Sequence, residues 1–145
     1  MSSSVAIAGL LSSLNPFTIL LCALGVIIGI IFGSIPGLTS TMAVALCLPI
    51  TYGMGALNGI AMLIALYVGG TSGGLISAIL LKIPGTPSSV ATTFDGAPMA
   101  EHGQAGKALG VGILYSFLGT VISIVALIFI APQLARVALK FGPQE

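Results

Sequence analysis

Charge is nearly missing from this sequence. Only seven of its 145 residues are Asp, Glu, Lys or Arg, or 5%, against about 25% in an ordinary soluble domain. A chain this small exposes much of its surface, and seven charges cannot cover that surface in water. A soluble globular domain is therefore excluded. Disorder is excluded too, because it requires low hydrophobicity, and here 57% of residues are hydrophobic, with a mean hydropathy of +1.20. A net charge of +1 without a Lys/Arg cluster excludes a basic nucleic-acid binder. Cysteine is scarce as well. Cys22 and Cys47 lie in apolar stretches, read as small packing residues, and carry no information on redox compartment. The first four residues lack Lys and Arg, so no cleavable signal peptide is expected.

What is present is the pattern of an all-α, polytopic membrane protein. A spanning helix takes roughly 20 apolar residues plus a connection, so a chain of this length holds about four segments. The first span is predicted over 16–35. Asn15 supplies an N-cap, and Pro16 suits the first helical position because its missing N–H would be unpaired anyway. Gly25, Gly29 and Gly33 recur every four residues and offer one helix face to a close neighbour. Pro36-Gly37 stops this helix, and Thr39-Ser40-Thr41 can cap a new one. Pro49 is expected to end that second helix, leaving a half-helix over 39–48.

The next span is predicted over 58–82, with Asn58 at its start. Its centre reads Gly69-Gly70-Thr71-Ser72-Gly73-Gly74. Each glycine costs about 1 kcal/mol of helix propensity against alanine, so a break at 69–74 is expected; a tightly packed continuous helix is the alternative. A Pro-Gly loop and polar connection follow over 83–107, with Pro98 opening a short helical turn. A clean span over 108–131 is ended by Pro132. Arg136 and Lys140 mark an interfacial segment before the linker-like Gly142-Pro143-Gln144-Glu145. Lys82 and Lys107 before the last span balance Arg136 and Lys140 after it, so the positive-inside rule gives no orientation.

One segment is echoed. Ile35-Pro36-Gly37-Leu38-Thr39-Ser40-Thr41-Met42-Ala43 and Ile83-Pro84-Gly85-Thr86-Pro87-Ser88-Ser89-Val90-Ala91 lie 48 residues apart and share five of nine positions. Irregular backbone at membrane depth survives only where it is buried in protein or lines a wet cavity. Freed N–H groups at a helix start can hold a carboxylate, and freed carbonyls at a helix end can hold a cation. Discontinuous helices used in this way mark secondary transporters. Gly37, Thr39, Ser40, Thr41, Gly85, Thr86, Ser88 and Ser89 are accordingly the candidate substrate-binding residues. Gly70, Thr71, Ser72 and Asp95 are the candidates for ion coupling. No metal or other cofactor is expected beyond a coupling Na+ or H+, and the choice between the two stays open.

These residues resemble the large membrane subunit of the tripartite tricarboxylate transporters, the TctA family. The resemblance rests on Gly29-x3-Gly33-x2-Pro36-Gly37-Leu38, on Tyr67-x-Gly69-Gly70-x2-Gly73-Gly74, and on Ile83-Pro84-Gly85-Thr86-Pro87. It continues through Thr93-x-Asp95-Gly96-x-Pro98-Met99-Ala100-x2-Gly103-Gln104-Ala105-Gly106-Lys107-Ala108-Leu109-Gly110. It implies an ion-gradient-driven carboxylate permease of the bacterial inner membrane, not an enzyme. It also implies two partners, a small membrane subunit and a periplasmic solute-binding protein. Members of the family are several-fold longer and built from two related halves. The motifs here match the first half, so the resemblance implies an N-terminal part, one half of an inverted-repeat transporter. It places Asp95 in an Asp-Gly-x-Pro signature, where Asp95 is either an ion site or a turn cap.

Two other classes compete. Glycine stripes alone would also serve a non-transporting assembly piece. Gly70-Thr71-Ser72-Gly73 fits the nucleophile pattern of rhomboid-like intramembrane proteases, which need a histidine base within hydrogen-bond reach. His102 is the single histidine, and it falls in a polar connection far from mid-span. Glu101 is expected to be solvated there, and Lys82 to snorkel from its helix end.

Overall fold

The structure is a computed structural model that describes residues 14–138. Lys140, the linker-like 142–145 and the first four residues lie outside the described residues. Among the described residues there are five α-helices, one 3₁₀ turn and no strand. The helices are α1 (Pro16–Ser34), α2 (Ser40–Thr51), α3 (Ala56–Leu81), α4 (Val90–Glu101) and α5 (Ala105–Ala138), and the 3₁₀ turn is Pro87–Ser89. The apolar stretches of α1, of α3 and of α5 up to Ala131 are long enough to cross a membrane, and α2 is a shorter apolar helix. The chain divides within α5, between Leu109 and Gly110, into two units. The candidate site lies wholly in the first.

That first unit is built around α3. Asn15 Oδ1 accepts from the Phe17 N–H at 3.2 Å and starts α1. Thr18, Leu21, Gly25, Gly29 and Gly33 form the buried stripe of α1. Contacts along this stripe rise in step on both helices. Thr18 Oγ1 donates to Asn58 Oδ1 at 2.8 Å. A Cβ at Gly25 would meet the Met62 carbonyl at 2.7 Å, one at Gly29 the Leu66 carbonyl, and one at Gly33 the Gly70 carbonyl. Helices α1 and α3 therefore run parallel, backbone against backbone. Asn58 lies inside α3 rather than at its start, and serves as the polar anchor of this crossing.

Helix α2 must then return. Gly37 makes the turn with φ of 94°, a conformation that costs other residues roughly 1–2 kcal/mol. The Met42 N–H donates to Thr39 Oγ1 at 3.2 Å, which caps α2. Ser40 packs on Gly70 and Thr51 on Gly59, so α2 runs antiparallel to α3. Ala43, Cys47 and Leu66 form the small core between them. The expected stop at residue 48 does not occur, because α2 continues through Pro49 to Thr51. Proline so near a helix end forfeits one hydrogen bond. Buried Thr51 holds the last turn, donating to the Leu48 carbonyl at 2.7 Å. Helix α5 likewise runs past Pro132 to Ala138, since membrane helices tolerate proline.

The expected break at 69–74 is also absent: α3 is continuous over Ala56–Leu81. The magnitudes explain why. Four glycines cost about 4 kcal/mol of propensity, whereas each backbone group left unpaired in lipid costs several kcal/mol. The glycines face two partners instead. Gly69 and Gly73 receive Val26 and Ile30 of α1, while Gly70 and Gly74 receive Ser40 and Thr86.

After α3 the chain turns back on itself. Lys82 takes the left-handed conformation, φ 57°, at the helix end. Residues 83–86 then return to the level of Gly74, where Thr86 sits. From there Pro87–Ser89 runs directly into α4, which heads outward again. Gly96 packs on Ile79, and Glu101 reaches Lys82. Pro98 lies within α4 instead of opening a turn.

Candidate functional site

Two helical runs thus begin beside the same stretch of α3 and leave it in opposite directions. Helix α2 starts at Ser40, beside Gly70. The run from Pro87 through α4 starts next to Thr86, beside Gly74. Between the two starts lies a cavity of about 250 Å³ lined by Thr39, Ser40, Thr41, Tyr67, Thr71, Thr86, Pro87 and Ser88. Seven of these eight residues carry a hydroxyl and none is Asp, Glu, Lys, Arg or His.

The hydroxyls are not equivalent. Thr71 donates to the Val68 carbonyl of its own helix at 2.9 Å. Thr39 Oγ1 is engaged by the Met42 N–H. Thr86 and Ser88 share a hydrogen bond at 3.1 Å. Beneath them Ser89, 2% exposed, locks the turn: its Oγ accepts from the Thr86 N–H at 3.1 Å and donates to the Thr86 carbonyl at 2.8 Å. Ser40 is 3% exposed, and its Oγ has no partner among the described residues. An unpaired buried hydroxyl costs about 1–3 kcal/mol, and in native proteins such a group calls for an explanation.

The cavity gathers Thr39, Ser40, Thr41, Thr71, Thr86 and Ser88 from the residues singled out in the sequence. Others sit outside its lining. Gly37 is the exposed turn before α2. Gly85 is buried, and a Cβ there would meet the Gly33 carbonyl and Ser77 Oγ, each at 2.5 Å. Gly70 forms the floor under Ser40, and Ser89 is the brace beneath Thr86. Ser72 is half-buried on another part of α3. Asp95 is exposed on α4, within a helix and not in a turn.

Tyr67 belongs to the cavity and escaped sequence reasoning as a site residue. The signal that finds it is helical spacing: Tyr67, Gly70, Thr71 and Gly74 share one face of α3. It is 52% exposed and is the largest side chain of the lining.

The charged groups gather elsewhere. Lys82 and Glu101 form an ion pair on the surface. The hydrogen bond and charge from Lys82 hold the Glu101 carboxyl below its ordinary value. His102 follows Glu101, with Nδ1 at 2.7 Å from the Pro98 carbonyl. Ser72 precedes Lys82 by ten residues of helix, about 15 Å, so the geometry provides no serine–histidine pair.

The chain matches the model of the tripartite tricarboxylate transporter TctA family over residues 19–145. It is also 40% identical over 137 residues to a protein of Agrobacterium vitis described as "Uncharacterized 52.8 kDa protein in TAR-I ttuC' 3'region"; the alignment takes in 94% of this chain and 27% of that protein. The chain thus spans about a quarter of the length of this curated relative. No solved structure matches it.

Proposed function

Because this chain belongs to the tripartite tricarboxylate transporter TctA family, we propose that it provides part of the permease of an ion-gradient-driven carboxylate transporter in the bacterial inner membrane. Its partners are a small membrane subunit and a periplasmic binding protein that delivers the substrate. The observation that carries the reading is the cavity where two helical runs begin. A helix start presents unpaired N–H groups and roughly half a positive charge. Here the start of α2 faces the Pro87–Ser89 turn that leads into α4 across one charge-free, hydroxyl-lined space. A carboxylate can be held there by N–H and O–H donors, with no buried arginine and no desolvation of a protein charge. The coupling Na+ or H+ acts nearby, through oxygen atoms of the same loops. Substrate enters between α2 and the 83–89 loop, and Tyr67 limits its size.

The test is uptake of a labelled carboxylate by proteoliposomes containing both membrane subunits, supplied with binding protein and an ion gradient. Uptake that needs both additions is the expected result. Absence of uptake with both present would overturn the reading and favour a non-transporting assembly role.

A further inference from the structure

The lining hydroxyls differ in what they have left to offer, and their own hydrogen bonds fix that for two of them. Thr39 Oγ1 accepts from the Met42 N–H at 3.2 Å. Its own proton stays free, so towards the cavity Thr39 is a donor. Thr71 is the reverse. Its Oγ1 gives its one proton to the Val68 carbonyl at 2.9 Å, and the lone pairs that remain can only accept. Both residues line the same space of about 250 Å³. An ionised carboxylate accepts and never donates. It suits Thr39 and the N–H groups at the start of α2, but against Thr71 Oγ1 it would set lone pair against lone pair.

Resting on the carboxylate reading above, we infer that the cavity selects acids that carry a hydroxyl beside the carboxylate, and that Thr71 is the specificity-determining residue, its Oγ1 accepting the substrate O–H. The other occupant an acceptor can take is a cation. Thr71 is badly placed for one. A hard cation gathers about six oxygens, whereas α3 is continuous over Ala56–Leu81, so its carbonyls at this level are spent on the helix ladder. Thr71 brings a single oxygen from this wall, and the coupling ion belongs to the loops. The remaining hydroxyls do not take over the role. Thr86 and Ser88 are bonded to each other at 3.1 Å. Thr41 and the Tyr67 phenol can turn to donate or to accept, and so impose no preference.

Discrimination follows from what each ligand leaves behind. Thr71 is half-buried near the middle of α3, and a substrate that fills the cavity displaces the water that would otherwise bond its oxygen. A site that hydrogen-bonds a ligand hydroxyl rejects the analogue lacking it, because the protein group is then left unpaired. With the substrate hydroxyl replaced by hydrogen, Thr71 Oγ1 faces a methylene group and has no donor. The Thr71 proton stays on the Val68 carbonyl in either case, so the preference is set by one oxygen.

The test is equilibrium binding to the membrane subunit purified at full length, with two matched pairs of acids: 2-hydroxybutanedioate against butanedioate, and 2-hydroxypropanoate against propanoate. In each pair the hydroxy acid should bind about tenfold to a hundredfold more tightly, the range expected when a buried acceptor loses its donor. Thr71→Val keeps the branched side chain and removes the oxygen, and should bring each ratio to within about twofold. Thr71→Ser keeps the oxygen and should keep the ratio. A merely structural role for Thr71 would move both members of a pair alike and leave the ratio where it was. Equal binding within each pair by the unaltered chain overturns the inference and leaves the carboxylate site standing, and that comparison needs no variant. A preference that survives Thr71→Val overturns the assignment to Thr71. Affinity for both members that climbs with sodium, and loses that dependence in Thr71→Val, gives the oxygen to the coupling cation and overturns the inference as well. Failure of all four acids to bind overturns the carboxylate reading itself.

Discussion

Ser40 holds a hydroxyl where hydroxyls are costly. Gly70 has no side chain, so Ser40 Oγ can lie where a Cβ at that position would be 2.8 Å away, and nothing replaces the water it gives up. Ser40→Ala should therefore leave thermal stability unchanged or raise it by about 1 kcal/mol, since an unpaired polar atom is removed. The same substitution should lower substrate affinity. Melting temperature and equilibrium binding on the same preparation separate the two effects, and a loss of both would mean that Ser40 is structural. Thr18 is the contrasting residue. Its hydroxyl is buried but paired with Asn58, so Asn58→Leu should destabilise the unit by about 1 kcal/mol, within the range for membrane side-chain hydrogen bonds. The double variant Thr18→Val/Asn58→Leu should recover much of that loss, because no orphan remains.

At the scale of the helix, the glycines of α3 divide into two pairs with different work. Gly69 and Gly73 admit the backbone of α1, and Gly70 and Gly74 admit Ser40 and Thr86. A methyl group at Gly69 would run into the Val26 carbonyl, which is backbone and cannot step aside. Gly69→Ala should therefore cost about 1–3 kcal/mol of stability, read as lost expression and a lowered melting temperature. Gly74→Ala presses on the Thr86 side chain instead, at 2.8 Å from Oγ1. It should lower carboxylate affinity more than stability, and equal effects from the two variants would deny the division. The other element-scale device is the Lys82–Glu101 pair, which ties the end of α3 to the end of α4. The hydrogen bond and charge from Lys82 hold the Glu101 carboxyl below its ordinary value in the folded chain. Its contribution is thus fully present above the ordinary carboxylate range and is lost as pH falls through the depressed folded value. Acid should loosen the 83–101 segment, seen as faster hydrogen exchange. Glu101→Gln should loosen it at neutral pH and remove the acid dependence, and high salt should imitate the variant because the pair is exposed.

Across the whole first unit, the parallel course of α1 and α3 is the feature most open to direct test. It requires residues 14 and 55, just ahead of these helices, to face the same side of the membrane. With Cys22 and Cys47 replaced, cysteines at Leu14 and at Gly55 should react with an impermeant maleimide from one side only, and the same side. Labelling from opposite sides would overturn the arrangement. The same course explains why the echoed Pro-Gly segments meet. One follows α1 and the other follows α3, so two parallel helices deliver both loops to the same end of the unit. The second loop then folds back to the level of Gly74, beside the start of α2.

Much of this was written in the residues themselves. A chain with seven charges in 145 residues can only place its helices in lipid, and the three spans follow from runs of apolar residues long enough to cross it. The Asn15 and Thr39 caps, the Gly37 turn and the hydroxyl-rich starts at Thr39-Ser40-Thr41 and Thr86-Ser88 are equally local, because each depends on a side chain meeting backbone a few residues away. Glycine is where local reading fails. Propensity alone makes Gly69-Gly70 and Gly73-Gly74 a break, and only the neighbours Val26, Ile30, Ser40 and Thr86 turn them into a seam. Pro49 fails for the same reason, since the packing of Thr51 on Gly59 carries α2 past it. Tyr67 has no local mark as a site residue; the return of α2 and of the 83–86 loop brings the cavity to it. Composition and capping act over a few residues, so they decided the medium, the spans and the helix starts. Backbone-to-backbone contact joins residues some forty positions apart, and it alone decided that α3 is whole and that two helix starts converge on one cavity.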